Sequence, residues 1–315
     1  MSKYLITGGA GFIGSRIAQK LLHDGHFVRV LDNFYTGNEA NLDFTKGLGP
    51  DKFELIRGDI TNPQDGDKAC VGMDYVLHQA ALRSVPKSLE DPLSYNRVNI
   101  DGILKMLQAA LKNKIKRFVF ASSSSVYGDA TQFPLKEDFL PLLISPYALS
   151  KLTGEYYCRI FSQVYGLDTV CLRYFNIFGP HQALDDEYAV VVPKFISCIL
   201  QDKQPPIYGT GLQSRDFTFI DNVVSANILA AQTPGIKHEV FNVANGCEHT
   251  VLELARELTR IMQKDIPPQF LPVRKGDVFK TSADISKIKQ KLNYKPLVSF
   301  EEGLKLTVDY FKAKF

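Results

Sequence analysis

Tyr147 and Lys151 stand four residues apart, a spacing that stacks them on one face of a helix. An ammonium beside a phenol favours the phenolate and lowers the tyrosine pKa toward working pH, which makes Tyr147 a proton acceptor. Such pairs are also common as plain surface contacts on helices. The company it keeps sets this one apart. A serine cluster, Ser122 to Ser125, follows the apolar run Phe118-Val119-Phe120, and a glycine-rich turn opens the chain at Gly8, Gly11 and Gly14.

The elements that must position these groups can be read in order. Tyr4 to Thr7 reads as a buried strand, Gly8-Gly9-Ala10-Gly11-Phe12-Ile13-Gly14 as a turn, and the following residues to Leu22 as a helix stopped by Asp24-Gly25. Phe27 to Leu31 is a second strand, ending in Asp32. Glycines at a first strand-to-helix junction let backbone amides approach a pyrophosphate at the positive end of the helix. Asp32 is placed to accept adenosine ribose hydroxyls, and no Arg or Lys follows it in Asn33-Phe34-Tyr35, which favours NAD over NADP.

Asn38 to Pro50 is loop-like, and Phe53 to Ile56 is strand three. Asp59, beside Ile60, either contacts adenine or caps the helix that starts near Pro63. Tyr75 to His78 is strand four; its small followers Gln79-Ala80-Ala81 let a cofactor pass close, and His78 takes a satisfied structural role. Leu93 to Leu111 is helical with Asn99 inside it, Arg117 to Ala121 is strand five, Tyr147 to Tyr165 is helix, and Thr169 to Arg173 is strand six. Alternating strands and helices predict a parallel sheet covered on both faces. In the second half, Val190 to Leu200 reads as a helix broken at Pro193, Ser214 to Phe219 as one strand, Val223 to Ala231 as a helix, and Val240 to Val243 as a strand rejoining the main sheet. Helices follow at Val251 to Met262, Ile285 to Leu292 and Glu301 to Phe315.

The 315 residues suffice for one large or two unequal domains. A net charge of +3 without a clustered basic face gives no case for nucleic acid. The five cysteines are odd in number, with no Cys-x-x-Cys pair, so neither a disulfide framework nor a metal site is indicated, and a reducing cytoplasm fits. No signal peptide is expected, and no apolar run reaches the ~18 residues that span a membrane.

Taken together, Gly8 to Gly14, Asp32-Asn33, His78 to Ala81, Ser122 to Gly128, Tyr147-x-x-x-Lys151, Tyr174-Phe175-Asn176, Arg215-Asp216 and Arg274-Lys275-Gly276-Asp277 resemble the extended short-chain dehydrogenase/reductase family, specifically its nucleotide-sugar 4-epimerases. The match runs nearly end to end. It implies an α/β fold: a Rossmann-type doubly wound parallel sheet with a smaller mixed α/β substrate-binding domain. The division expected is residues 1–175 for NAD, with 215–245 returning to that domain, and 176–315 mainly for the nucleotide sugar. By resemblance Tyr147 is the base, Lys151 holds the nicotinamide ribose, and Ser123 hydrogen-bonds the reacting hydroxyl with Ser124 as helper.

The same resemblance adds Phe12, Ile13, Asn33, Asp59, Ile60 and Asn99 to the NAD site, with Gln79, Ala80, Ala81, Ser122 and Tyr174. It gives Ser84, Asn176, Val190, Val191, Tyr208, Arg215, Arg274, Asp277 and Thr281 to the UDP-sugar site. Two guanidiniums can pair bidentately with phosphate oxygens, a reading favoured over a surface ion pair for each arginine. It also implies a homodimer through helices 93–111 and 147–165, whose apolar residues Leu104, Met106, Leu107, Tyr156, Tyr157, Ile160 and Phe161 exceed one buried face.

Within that family, sugar dehydratases carry Thr-Asp-Glu before the tyrosine corresponding to Tyr127, and decarboxylases a Glu before the Val-Tyr-Gly. Ser123-Ser124-Ser125 offers no carboxylate there, so epimerisation is favoured. An intact Ser123, Tyr147 and Lys151 argues against a non-catalytic NAD-binding sensor or scaffold. Thr281 falls at the position where a tyrosine confines such enzymes to plain hexoses and a small residue admits an N-acetyl group, which points to UDP-N-acetylglucosamine with UDP-glucose alongside. Arg83 departs from that subgroup, which has glycine there; it either meets a sugar carboxylate, keeping UDP-glucuronate open, or pairs with Glu90 or Asp91.

Overall fold

The computed structural model describes residues 1–183, 191–273 and 278–314. Its first half alternates β1 (Lys3–Thr7), α1 (Phe12–His23), β2 (Phe27–Asp32), β3 (Phe53–Arg57), α2 (Pro63–Cys70), β4 (Tyr75–His78), the short helices α3 (Val85–Glu90) and α4 (Pro92–Tyr95), α5 (Gly102–Lys112), β5 (Arg117–Ser123), α6 (Pro146–Tyr165) and β6 (Thr169–Tyr174). A π-helical stretch, Asn96–Asp101, joins α4 to α5. The second half runs β7 (Ile177–Phe178), α7 (Val191–Leu200), β8 (Pro206–Tyr208), β9 (Ser214–Arg215), β10 (Thr218–Phe219), α8 (Ile220–Gln232), β11 (Glu239–Val243), β12 (His249–Thr250), α9 (Val251–Met262), β13 (Gln269–Leu271), β14 (Lys280–Thr281), α10 (Ser286–Leu292) and α11 (Phe300–Lys312).

Seven strands form one parallel sheet in the order β11-β6-β5-β4-β1-β2-β3. Side chains alternate across it as strand geometry requires. Tyr4, Ile6, Val28, Val30, Val119, Val170 and Leu172 face a core shared with α1 and α8. Leu5, Leu31, Phe118, Phe120 and Cys171 face a second core under α2, α5 and α6. This is the expected doubly wound α/β arrangement, and β11 does return to pair with β6. The buried Arg117 guanidinium, at the start of β5, donates to the carbonyls of Ala230, Thr233 and Ile236, fixing the end of α8 to the sheet.

Helix α6 shows why this segment is helical where it is. Ser145 caps it by accepting from the Ala148 N–H, Pro146 occupies its first position, and Gly166 ends it in the left-handed region at φ 78°. Several readings change. Pro193 does not break α7, which runs as continuous helix from Val191 to Leu200. Residues 214–219 split into β9 and β10, which join different small sheets. The loop after β2 holds a short 3-10 helix, Glu39–Thr45, capped by Asn38. Asn62, not Asp59, caps α2.

His78 is a structural histidine, as expected: its Nδ1 lies 2.9 Å from Thr7 Oγ1 and its ring packs against Phe118 and Phe120. Burial first, and the Lys151 charge second, push its imidazole down to about 3 from 6.5. Above pH 6.5 both folded and unfolded chains carry it neutral. Below that only the unfolded chain takes up the proton, so stability is lost as pH falls from 6.5 toward 3. Between pH 7 and 5 this amounts to about 2 kcal/mol. Urea unfolding of wild type and His78→Asn at both pH values should show a smaller acid loss in the variant; equal losses would refute the assignment.

Candidate active site

A cleft of about 1740 Å³ opens at the carboxyl ends of the sheet strands, where doubly wound folds place ligands. One wall is the glycine turn. Gly8 sits at φ 68°, and a Cβ there would lie 2.8 Å from the Ala80 amide nitrogen. A Cβ on Gly14 would meet the Gly8 carbonyl at 2.2 Å. The turn therefore closes only with glycine, and it seats α1 against the cleft. Gly11 starts α1 without any side-chain cap, so the first amides of that helix remain available to an anion. Gly11, Phe12, Ile13, Ile60, Ala80 and Ala81 all line this wall.

Asp32 ends β2 at the rim, accepting from the Ala10 and Phe34 N–H groups at 2.8 Å each. Asn33 donates to Asp59 at 2.8 Å, and Asp59 also accepts from the Thr61 amide and hydroxyl. Burial acting alone would raise the Asp59 carboxyl, but the Thr61 and Asn33 hydrogen bonds outweigh it and hold it below its ordinary value. Cleft shape, open helix amides and a rim acid fit the adenosine diphosphate half of NAD.

The reacting groups come from β5 and α6. Ser123, at the end of β5, accepts from the Ser125 amide and lies 2.9 Å from the Ser125 hydroxyl; its side chain also acts on the Tyr147 phenol, against the effect of burial. Ser124 lines the cleft beside it. Lys151 lies one turn after Tyr147, yet its ammonium donates to the Ala121 carbonyl at 2.8 Å and sits 5.8 Å from the Tyr147 ring centroid. This corrects the expectation of a phenol lowered by Lys151. Burial raises the Tyr147 pKa, and the opposing influences are the Ser123 hydrogen bond and then the Arg83 charge. Lys151 is itself pulled down by burial to about 7.

Two further expectations shift. Ser122 lines the cleft, but its hydroxyl is committed to Glu155 at 2.5 Å. Asn99 does not line the cleft. Its amide accepts from the Leu82 N–H and donates to the Leu82 carbonyl and to Ser150 Oγ, so it fixes the loop after β4 to α6. Gln79 and Tyr174 join Asn227 of α8 in a closed network, with Tyr174 Oη 3.0 Å from Gln79 Oε1 and Gln79 Nε2 3.0 Å from Asn227 Oδ1.

The far wall belongs to the second half. Arg215 and Thr281 are register partners on β9 and β14, and Asn176 Nδ2 donates to Thr281 Oγ1 at 3.1 Å and to the Asp216 carbonyl. The buried Asp216 carboxylate accepts from the Asn245 and Gly246 amides, holding that wall together. Ser84, Val191, Tyr208, Arg215 and Thr281 line the cleft, as does Arg83. Val190, Arg274 and Asp277 lie outside the described residues. Among the described residues no group of His, Cys, Asp and Glu could hold a metal ion, and no helix is long and apolar enough to cross a membrane.

Sequence reasoning missed Glu155, Asn227 and Tyr95. Glu155 alone carried a signal, four residues beyond Lys151 on the same helix face.

A dinucleotide turn on a doubly wound sheet, with a tyrosine, a lysine and a serine converging in its cleft, defines an extended short-chain dehydrogenase/reductase. The chain belongs to the NAD dependent epimerase/dehydratase family, whose model matches residues 4–244. It is similar to the UDP-N-acetylglucosamine 4-epimerase of Methanobrevibacter ruminantium, solved with UDP-N-acetylmuramic acid, at 42% identity and TM-score 0.95 over 100% of this chain and 99% of that one. The UDP-glucose 4-epimerase of Thermotoga maritima, solved with UDP-glucose, is 38% identical with TM-score 0.93 over 99% of each chain. The UDP-glucuronic acid 4-epimerase of Bacillus cereus, solved with its substrate and NAD, is 35% identical with TM-score 0.91 over 99% of this chain and 100% of that one. The protein is an NAD-dependent UDP-sugar 4-epimerase, an isomerase.

Proposed function

We propose that this enzyme interconverts UDP-N-acetylglucosamine and UDP-N-acetylgalactosamine, and UDP-glucose and UDP-galactose as well. The observation that carries this is Thr281, a short side chain on the cleft wall where a larger one would exclude an acetamido group. Gly8, Gly11 and the amides of α1 hold the cofactor diphosphate, and Asp32 its ribose. Bound NAD supplies hydride acceptance at the sugar C4 and its return through a 4-keto sugar, so the net redox change is zero. Tyr147 accepts the C4 hydroxyl proton, Ser123 hydrogen-bonds that oxygen, and Arg215 pairs with the substrate diphosphate. Lys151 holds the nicotinamide ribose, and the cytoplasm is its compartment. A second reading, UDP-glucuronate, is favoured by the Arg83 guanidinium in the same cleft.

Incubation with a panel of UDP-sugars without added NAD tests both. Conversion of the N-acetylhexosamine pair is expected, with NAD released on denaturation; turnover of UDP-glucuronate alone would replace the proposal. Thr281→Tyr should lower kcat/KM for UDP-N-acetylglucosamine at least ~10-fold more than for UDP-glucose, the scale of discrimination by pocket volume. Equal losses would mean that Thr281 is not the gate.

A homodimer through α5 and α6 is proposed on a reduced set of residues. Met106, Leu107 and Phe161 are buried in the protein's own core. Tyr156, Ile160 and Val164 form an exposed apolar stripe at helical spacing, 54%, 45% and 69% accessible, and Leu149 extends it. Light scattering should return twice the chain mass at micromolar concentration; a monomer would overturn it.

A further inference from the structure

Helix α8 sends one polar side chain to the floor of the cleft. It buries Val223, Val224, Ala226, Ala230 and Ala231, and among them lies Asn227, 0% exposed. An amide costs free energy in such surroundings unless its polar atoms are paired. Here they all are. Gln79 Nε2 donates to Asn227 Oδ1 at 3.0 Å, and Asn227 Nδ2 donates to Tyr174 Oη and to the Val223 carbonyl, each at 2.8 Å. The Tyr174 hydroxyl proton has Gln79 Oε1 at 3.0 Å and Asn227 Oδ1 at 3.1 Å as acceptors. The nearer one closes a ring of three side chains in which each gives a hydrogen bond to the next. Burial pushes the Tyr174 phenol up, so it stays a hydroxyl at working pH.

The ring bridges two strands across a third. Gln79 follows β4, Tyr174 ends β6, and β5 runs between them with Ser123 as the register partner of Tyr174. Alternation along the strands puts Ser123 and Tyr174 on the face that α8 covers. On the opposite face Ser122, Glu155 and Arg173 hold the same end of β5. Gln79 and Tyr174 line the cleft, and Ala80, the next residue, abuts the Gly8 turn; Asn227 itself does not line the cleft.

We propose that Asn227 is a positioning residue for epimerisation: through this ring it fixes the floor of the cofactor cleft and holds the end of β5, with Ser123, in place beside it. This rests on the role proposed above for Ser123. Without the Asn227 amide, Gln79 and Tyr174 are free to turn away from each other, and a displacement of about 1 Å in a reacting site costs up to ~10²-fold in rate.

Asn227→Leu keeps the side-chain volume and removes the ring; Tyr174→Phe removes the hydroxyl and keeps the packing. The test measures kcat and KM for wild type, each single variant and the double variant, on the UDP-sugar that the wild type converts. Saturating NAD is present, and the temperature lies well below every melting point. Loss of NAD from the same loaded enzymes on dialysis is followed in parallel. Asn227→Leu should lower kcat about tenfold with KM within about twofold of wild type, and should release NAD faster. The double variant should lose no more than the worse single, because either change opens the same ring. A lower melting temperature with wild-type kcat, KM and NAD release would overturn the proposal and leave Asn227 a core residue. Losses that multiply in the double variant would overturn it too. Should Asn227→Leu fail to fold, Asn227→Ser, too short to span Gln79 and Tyr174, decides by the same measurements. Wild-type turnover by Ser123→Ala would instead overturn the role of Ser123, a separate failure, since NAD release reads the ring without it.

Discussion

Replacing Tyr147 by Phe should lower kcat at least ~10²-fold, the scale of general base catalysis, while leaving NAD content and thermal stability near wild type. The phenol is the acceptor of the sugar proton in the proposed reaction, and its removal costs about 2.7 kcal/mol of barrier per hundredfold. The fold should persist, because Ser123 retains its bonds to Ser125 and the Phe ring still packs against Tyr95. Ser123→Ala should be milder, since Ser124 lines the same cleft. Steady-state turnover, read with cofactor content and melting temperature on the same preparations, decides the matter. A variant that turns over like wild type would remove Tyr147 from the mechanism.

The largest stability effect is expected one turn beyond Lys151. Glu155 and Arg173 are both 5% exposed and form a two-bond pair, at 2.9 and 2.8 Å, to which Ser122 adds a hydroxyl donor. Three elements, α6, β6 and β5, are pinned at this point beside the catalytic groups. Taking one partner from a buried pair leaves a charge without compensation, which costs about 3–5 kcal/mol. Glu155→Ala should therefore melt roughly 6–10 °C below wild type. The double variant Glu155→Met with Arg173→Met should regain much of that loss, since replacing a whole buried pair by apolar side chains is often near neutral. A single variant within a degree of wild type would show that water or movement already solvates the pair.

What the sequence disclosed was local. The glycines at positions 8, 11 and 14, Asp32, and the Tyr147–Lys151 spacing each express a short-range rule: a close backbone approach, a strand-end acid, a helix face. The alternation of strands and helices likewise revealed the sheet. What stayed hidden was set by distant partners. Tyr174 reaches Asn227 across 53 positions, and Asn99 finds Ser150 across 51, so neither role is written near its residue. The Lys151 ammonium could be placed on a helix face by spacing, but its choice of the Ala121 carbonyl over the phenol depends on how α6 lies on β5.

Strand β11 also decides how this protein can be taken apart. It comes from beyond residue 238, yet it completes the sheet beside β6, and α8 covers that sheet while Arg117 holds the helix end. A fragment ending near residue 175 would expose the whole edge of β6, from Thr169 to Tyr174, together with the apolar face that Val223, Ala226 and Ala230 now shield. An open, hydrophobic edge of that kind invites pairing between molecules. The two halves are thus not interchangeable cassettes: swapping the second half between relatives at a single junction would yield aggregates, whereas exchanging the loops around β8, β9 and β14 leaves β6 paired with β11.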